Sequence, residues 1–77
     1  MLVELVEHVV KKLVDNQEAV KVSKEVANDT IIIKLSVDPD DLGKVIGKEG
    51  RMARAIRTLV HAAALREGRR AVLEILD

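Results

Sequence analysis

A short stretch near the middle of the chain, VIGKEGR, combines residue types that suit anion binding. Gly47 and Gly50 stand three positions apart with Lys48 between them, and Arg51 follows directly. Glycine adopts backbone dihedrals that other residues avoid, and it has no side chain to block a close ligand. Uncapped backbone N–H groups at a helix start, with cations beside them, favour a phosphate. The stretch therefore predicts either a tight helix–helix turn or a phosphate-binding loop.

The segments on either side of this stretch are predicted to be helical. Asp38 is a suitable N-cap for a short helix over residues 39–46, which has proline at its first position and should end at Gly47. A longer helix is predicted over residues 51–66. It has Gly50 where a capping side chain usually stands, so its first backbone amides are open to water or a phosphate.

The longer helix carries its apolar and basic residues on different sides. At 100° per residue, an apolar cluster faces one way: Met52, Ile56, Leu59, Val60 and Ala63. The opposite side carries Arg54, Arg57 and His61. These three residues are consistent with an ordinary solvated face and equally with a surface for a polyanion.

The rest of the chain predicts one further helix and three strands. Apolar residues recur at helical spacing over residues 2–14. Alternating apolar and polar residues predict strands over 18–27 and 30–37, joined by a tight Asn-Asp turn. Gly68 should end the long helix, and a last strand is predicted over residues 71–76.

This order, α-β-β-α-α-β, predicts an α+β fold in which residues 1–77 form a single domain. The simplest packing is one three-stranded mixed sheet with the three helices on one face. A helical crossover joins the second and third strands. As neighbours, these strands should therefore run parallel with a right-handed connection.

The composition argues against several classes of function. The chain contains no cysteine and no aromatic residue, and its 77 residues leave little room for a deep catalytic cleft. His8 and His61 lie on different predicted helices, and the two serines, Ser23 and Ser36, lie in predicted strands. We therefore expect neither an enzyme nor a cofactor or metal site.

The distribution of apolar and charged residues indicates a cytoplasmic protein with a polyanionic partner. The N-terminus lacks the features of a signal peptide, and no apolar run approaches the ~20 residues of a membrane span. The net charge is zero, but residues 1–41 hold 5 basic and 9 acidic residues (−4), whereas residues 42–77 hold 8 and 4 (+4). A polyanion is therefore expected on the C-terminal half.

The run PDDLGKVIGKEGRMARAIRTLV, residues 39–60, resembles the KH domain. KH domains have a V/I-I-G-x-x-G signature between two helices, and residues 45–50 match it. The element order resembles the type II arrangement, and the whole chain is similar to the KhpA family of small bacterial single-KH proteins. This resemblance implies binding of single-stranded RNA, with a loop that clamps the backbone of about four nucleotides.

The resemblance also implies a role for each part of the candidate site. Residues 47–50 would grip the backbone, with Arg51 and Arg54 beside it. Val45 and Ile46 would form an apolar floor beneath the bases or pack into the core. REGRR, residues 66–70, would be the variable loop, where its arginines form either a second wall or a solvated turn. The candidate RNA-binding set is Lys44, Val45, Ile46, Gly47, Lys48, Glu49, Gly50, Arg51, Arg54, Arg69 and Arg70.

The chain departs from the KH signature at two positions. Ala53 stands where the family often has isoleucine, which alters the groove floor and not the fold. Glu49 places an acid inside the loop and is expected to lower its affinity for phosphate. Without the aromatic residues on which RRM and OB folds stack bases, we expect modest, salt-sensitive affinity and low sequence specificity.

The resemblance implies further partners and a cellular role. These are a homodimer, or a heterodimer with a KhpB-like KH protein, and a role in RNA chaperoning and post-transcriptional regulation. The main alternative is a KH-fold protein-interaction module with little RNA binding of its own, for which Ala55, Ala62 and Leu65 would offer a dimer face. A helix-turn-helix DNA-binding protein is disfavoured because half of the predicted domain is sheet.

Overall fold

The computed structural model describes residues 2–76 of the chain. Within them the chain forms α1 (Leu2–Leu13), β1 (Lys21–Ala27), β2 (Thr30–Ser36), α2 (Leu42–Ile46), α3 (Arg51–Arg66) and β3 (Arg70–Leu76). This confirms the predicted α-β-β-α-α-β order. Among the described residues, no helix has the length and apolar character needed to cross a membrane.

The strands of residues 2–76 form one mixed sheet in the order β1-β2-β3. β1 and β2 pair antiparallel as a hairpin, with Ala27 opposite Thr30 next to the turn. β2 and β3 pair parallel, from Thr30 opposite Arg70 to Ser36 opposite Leu76. The chain passes from β2 to β3 through α2 and α3, which confirms the predicted helical crossover between parallel strands.

One face of this sheet carries the hydrophobic core. The central strand β2 directs alternate side chains, Ile31, Ile33 and Leu35, into it. Buried residues of the helices and of β3 pack against them: Leu2, Val6, Val10, Val45, Ala53, Ile56, Val60, Ala64 and Leu73. The intervening residues of β2 are only partly buried, so α1, α2 and α3 lie on the same face, as predicted.

Two element boundaries differ from the prediction by more than one residue. β1 begins three residues later than predicted, because Gln17–Ala19 form a turn of 3-10 helix. The short helix before the loop begins as a 3-10 turn, Pro39–Asp41, and is α-helical only over α2. Asp38 nevertheless caps this segment as predicted, since its Oδ1 accepts a hydrogen bond from the backbone N–H of Asp40 at 2.9 Å.

The buried face of α3 is rotated relative to the predicted one. Ile56 and Val60 are buried as predicted, but Leu59 is 49% exposed, and Ala53 and Ala64 lie in the core instead. Alanine side chains are small enough for the helix backbone to approach the sheet closely, which a search for large apolar residues overlooks. The prediction for Leu59 was therefore wrong. The remaining members of the predicted cluster are partly buried at the edge of the core: Met52 and Ala63.

Candidate nucleic-acid interface

The GKEG loop, residues 47–50, joins α2 to α3 through backbone conformations that few residue types adopt. Gly47 has φ 77° and ψ 175°, and Glu49 (φ 58°) and Gly50 (φ 76°) also have positive φ. Glycine tolerates these dihedrals, whereas a glutamate there carries strain. A hydrogen bond from the Gly50 N–H to the Gly47 carbonyl, at 3.1 Å, closes the turn.

Gly47 is required for a steric reason as well. A Cβ at this position would lie 2.7 Å from Cβ of Met52 and 2.9 Å from its backbone nitrogen. A Cβ at Gly50 would meet only ordinary contact, with Nη1 of Arg54 the nearest atom at 3.5 Å. Gly47 thus lets the loop touch the backbone of α3, whereas the nearest neighbour above Gly50 is the flexible side chain of Arg54.

The N-terminus of α3 faces outward at this loop. Its N-cap residue is Gly50, and no side chain of residues 2–76 supplies a capping hydrogen bond. The positive end of the dipole of a 16-residue helix is therefore left without a side-chain acceptor, as the sequence predicted. The N–H of Arg51 already donates to the carbonyl of Lys48, so an anion that approaches over Gly50 is attracted by the helix dipole and not by that amide.

Exposed cations surround this helix start. Arg54 lies one turn along α3, and its guanidinium reaches back over Gly50. Lys48 is exposed within the loop. Arg51 is also exposed, and its Nη2 lies 3.9 Å from Oε2 of Glu49. Farther along α3 the predicted basic side continues with two more exposed residues, Arg57 and His61.

Lys44, a member of the candidate set, is paired with carboxylates. Its Nζ forms an ion pair with Asp15 and lies 3.3 Å from Oδ1 of Asp41. The hydrogen bond to Asp15, and to a lesser degree the one to Asp41, raises the pKa of Lys44. Lys44 therefore joins the segment after α1 to α2, and a phosphate must compete with two acids to reach it.

Asp41 anchors α2 and, through it, one side of the loop. It is only 3% exposed, and its Oδ2 accepts a hydrogen bond from the backbone N–H of Asn16 at 3.0 Å. The Asn16 side chain donates to Oδ2 of Asp38, also at 3.0 Å. Asp38 and Asp41 thus both accept hydrogen bonds from amide groups, and Asp41 also pairs with the amine of Lys44. In the described part of the chain, no three His, Cys, Asp or Glu side chains are placed to hold a metal ion.

We expect Asp41→Asn to lower the Tm by about 5 °C, because an amide accepts hydrogen bonds more weakly and cannot pair with Lys44. The hydrogen bond from the Asn16 N–H lowers the pKa of Asp41 in the folded state. Its stabilisation is therefore fully present above the unfolded value of 3.8 and is lost as the pH falls through the lower folded value. The variant should lose this part of the acid sensitivity.

Thermal unfolding followed by circular dichroism, from about pH 7 down to pH 2, measures both effects. Asp40→Asn is the matched control, because Asp40 is an exposed neighbour whose carboxylate has no hydrogen bond within residues 2–76. It should leave the Tm and its pH dependence unchanged. Equal effects of the two substitutions would contradict the anchoring role of Asp41.

The two residues predicted to form an apolar floor are placed differently. Val45 is 0% exposed and packs in the core beneath α2. Ile46 is half-buried and retains exposed surface beside the loop. Val45 therefore supports the loop from inside, and Ile46 is the member of the pair that is placed to contact a base.

The structure does not bring Arg69 and Arg70 to the GKEG loop. They follow the C-terminal end of α3, and its 16 residues span roughly 24 Å. Arg70 begins β3 opposite Thr30, and its N–H donates to the carbonyl of Asp29 at 3.3 Å, at the hairpin end of the sheet. The loop and the REGRR turn thus lie at opposite ends of α3, and only a long strand reaches both.

Comparison with known proteins finds a family match and several similar chains. The family described as "KhpA/KhpB, KH domain" matches residues 3–75. The RNA-binding protein KhpA of Caldanaerobacter subterraneus subsp. tengcongensis is 56% identical over 73 residues, which cover 95% of this chain and 97% of that protein. The RNA-binding protein KhpA of Aquifex aeolicus is 50% identical over 76 residues, covering 99% and 96%.

Solved structures of a longer protein share the fold. A crystal structure of Aquifex aeolicus Era, bound to GDP and AlF4−, matches 96% of this chain with a TM-score of 0.62 and 22% identity. Era in complex with MgGDPNP and nucleotides 1506–1542 of 16S ribosomal RNA matches with the same TM-score and identity. This chain spans only 29% and 28% of those two chains. At 22% identity the likeness shows the fold alone.

The element order, the mixed sheet and the glycine-bounded loop between α2 and α3 define a KH domain of type II. The family match over residues 3–75 and two relatives that are 50% and 56% identical narrow the class from KH domains in general to one KH family. They confirm the resemblance seen in the sequence. The chain belongs to the KhpA/KhpB family of KH domains.

Proposed function

We propose that this protein binds single-stranded RNA in the cytoplasm, with low sequence specificity, by clamping the RNA backbone at the GKEG loop. The observation that carries the proposal is the uncapped start of α3 beside Gly47 and Gly50, with the Arg54 guanidinium above it. The names of the relatives, RNA-binding protein KhpA, support it. The proposal includes a role in RNA chaperoning or post-transcriptional regulation with a KhpB-like partner, as the resemblance to the KhpA family implies.

In this mechanism the loop recognises shape and charge and not base identity. A phosphate over Gly50 meets the positive end of the α3 dipole, while Lys48 and Arg54 neutralise its charge. Ile46 gives an adjacent base an apolar contact. Because the chain has no aromatic residue for stacking, affinity is modest. The logarithm of the binding constant falls linearly with the logarithm of the salt concentration, and the slope of this log–log plot is about 0.7 for each phosphate neutralised.

Fluorescence anisotropy at fixed low salt tests the proposal with two labelled ligands of equal length, an unstructured RNA and a duplex DNA. We expect binding to the RNA and little binding to the duplex, because the loop requires an accessible single-strand backbone. A preference for duplex DNA would favour a helix-turn-helix mode of binding. Binding to neither ligand would favour a protein-interaction module with little RNA binding of its own.

The exposed side of α3 supports a further part of the proposal, pairing with a second KH domain. Leu59 and Leu65 are 49% and 57% exposed. Ala55 and Ala62 are also exposed and lie between the two leucines on the helical wheel. Small residues flanked by leucines allow two helices to pack closely. The partner is a second copy of this chain or a KhpB-like domain, and two domains on one RNA bind more tightly through avidity.

Leu65→Glu is expected to weaken this pairing by at least about tenfold, because it places an unpaired charge in an apolar interface. Size-exclusion chromatography with light scattering, over a range of protein concentrations, measures the change in mass. Leu76→Glu is the control, because Leu76 is an exposed leucine at the end of β3, and it should leave the mass unchanged. A wild-type monomer at every concentration, or equal effects of both variants, would contradict the α3 interface.

A further inference from the structure

Glu49 places a carboxylate at the centre of the loop proposed to receive a phosphate. Its backbone has φ 58° and ψ 24°, a left-handed conformation in which glycine or asparagine is more usual. Its Oε2 lies 3.9 Å from Nη2 of Arg51, and both side chains are exposed. The acid is therefore directed toward a cation at the start of α3.

Arg51 and Arg54 differ in whether a carboxylate lies beside them, although both project from the first two turns of α3. Arg51 faces the Glu49 carboxylate. Arg54 has no carboxylate partner within residues 2–76, and its guanidinium lies over Gly50. One arginine of the candidate site is thus already paired in the free protein, and the other is available.

We propose that Glu49 is an internal competitor of the RNA phosphate. Its carboxylate pairs with Arg51 in the free protein, and a backbone phosphate must displace it to gain that cation. The inference rests on the proposed function and concerns how the same loop sets its affinity. Carboxylate and phosphate present similar pairs of oxygens to a guanidinium, so one can take the place of the other.

The exposure of this pair determines the size of the effect. A solvent-exposed ion pair contributes little and exchanges readily, so RNA can open it. When a phosphate takes Arg51, however, Glu49 is left unpaired beside the RNA backbone, and like charges repel. Arg51 therefore adds little to the affinity of the wild-type protein, and the loop holds RNA more weakly than its cations alone would allow.

A double-mutant cycle in RNA affinity tests this inference. Glu49→Gln is expected to bind a short unstructured RNA about fivefold more tightly than wild type at low salt, with a log–log salt slope steeper by about 0.7. Arg51→Gln should weaken the wild-type protein by less than about twofold, and the Glu49→Gln protein by about fivefold. Arg54→Gln should weaken both backgrounds to the same extent.

Two controls separate this effect from net charge and from stability. Glu67→Gln removes an exposed acid at the other end of α3, and it should leave RNA affinity unchanged. Thermal unfolding of Glu49→Gln should match that of wild type, because glutamine and glutamate tolerate the left-handed backbone about equally. A difference in RNA affinity between Glu49→Gln and wild type is then caused by loss of the Glu49 carboxylate.

The outcomes that would overturn the inference are distinct from those that bear on the function. If Glu49→Gln bound RNA as wild type does, while reversing the charge at Lys48 abolished binding, the competitor would be excluded and the RNA-binding loop would stand. If Arg51→Gln had equal effects in both backgrounds, Glu49 would not act through Arg51. If neither wild type nor Glu49→Gln bound RNA, the proposed function and this inference would fall together.

Discussion

Changing Lys48 and Glu49 together to aspartate is expected to weaken binding to a short unstructured RNA by roughly 10- to 30-fold at low salt. The change replaces a cation by an anion between Gly47 and Gly50 and keeps an acid at the next position. A phosphate would then meet two carboxylates at the positive end of the α3 dipole. Arg54 alone does not offset that repulsion.

The control experiments follow from the conformation of the loop. Aspartate tolerates left-handed backbone better than most residues, so the variant should fold with a circular dichroism spectrum and a Tm close to those of wild type. Lys24→Asp makes the same reversal of charge on the edge strand β1 and should bind RNA as wild type does. Equal binding by the loop variant and wild type would move the site to the arginines of α3 and the REGRR turn.

The sheet was predictable from local pattern and topology, whereas the orientation of α3 was not. Ile31, Ile33 and Leu35 alternate with their neighbours, and the helical crossover implied the parallel pairing of β2 and β3. In α3, Ala53 and Ala64 are buried while the larger Leu59 is exposed. A ranking of residues by hydrophobicity predicts the opposite.

The loop was predictable because, as in the strands, the residues that determine its conformation lie close together in the sequence. The spacing of Gly47 and Gly50 and the missing cap of α3 are both visible in seven residues. The pairing of Lys44 with Asp15 was not predictable, since it joins residues 29 positions apart. The separation of Arg69 from the loop had a usable signal, namely the 16-residue length predicted for the intervening helix.

Gly47→Ala is expected to destabilise the domain by about 3 kcal/mol, which lowers the Tm of a domain of this size by roughly 15 °C. Two independent costs combine. The pair φ 77° and ψ 175° lies in a region that essentially only glycine populates. The added methyl group would also lie 2.7 Å from Cβ and 2.9 Å from the backbone nitrogen of Met52. Relieving that clash must displace α2 or the start of α3, so RNA binding should be lost as well.

Two other glycines provide matched comparisons, and urea denaturation gives the free energy of unfolding of each variant. Apart from its two chain neighbours and its own helix backbone, no atom of residues 2–76 lies within 4 Å of a Cβ built on Gly43. Gly43→Ala should therefore stabilise α2 by about 0.5 kcal/mol and keep RNA binding. Gly50→Ala should destabilise the domain only through the strain of a left-handed backbone at an alanine, which costs about 1 kcal/mol. If Gly47→Ala were no worse than Gly50→Ala, the close approach to Met52 would not be what holds the loop. If it is clearly the worst of the three and also loses RNA, the placement of the loop backbone against α3 is what RNA binding requires.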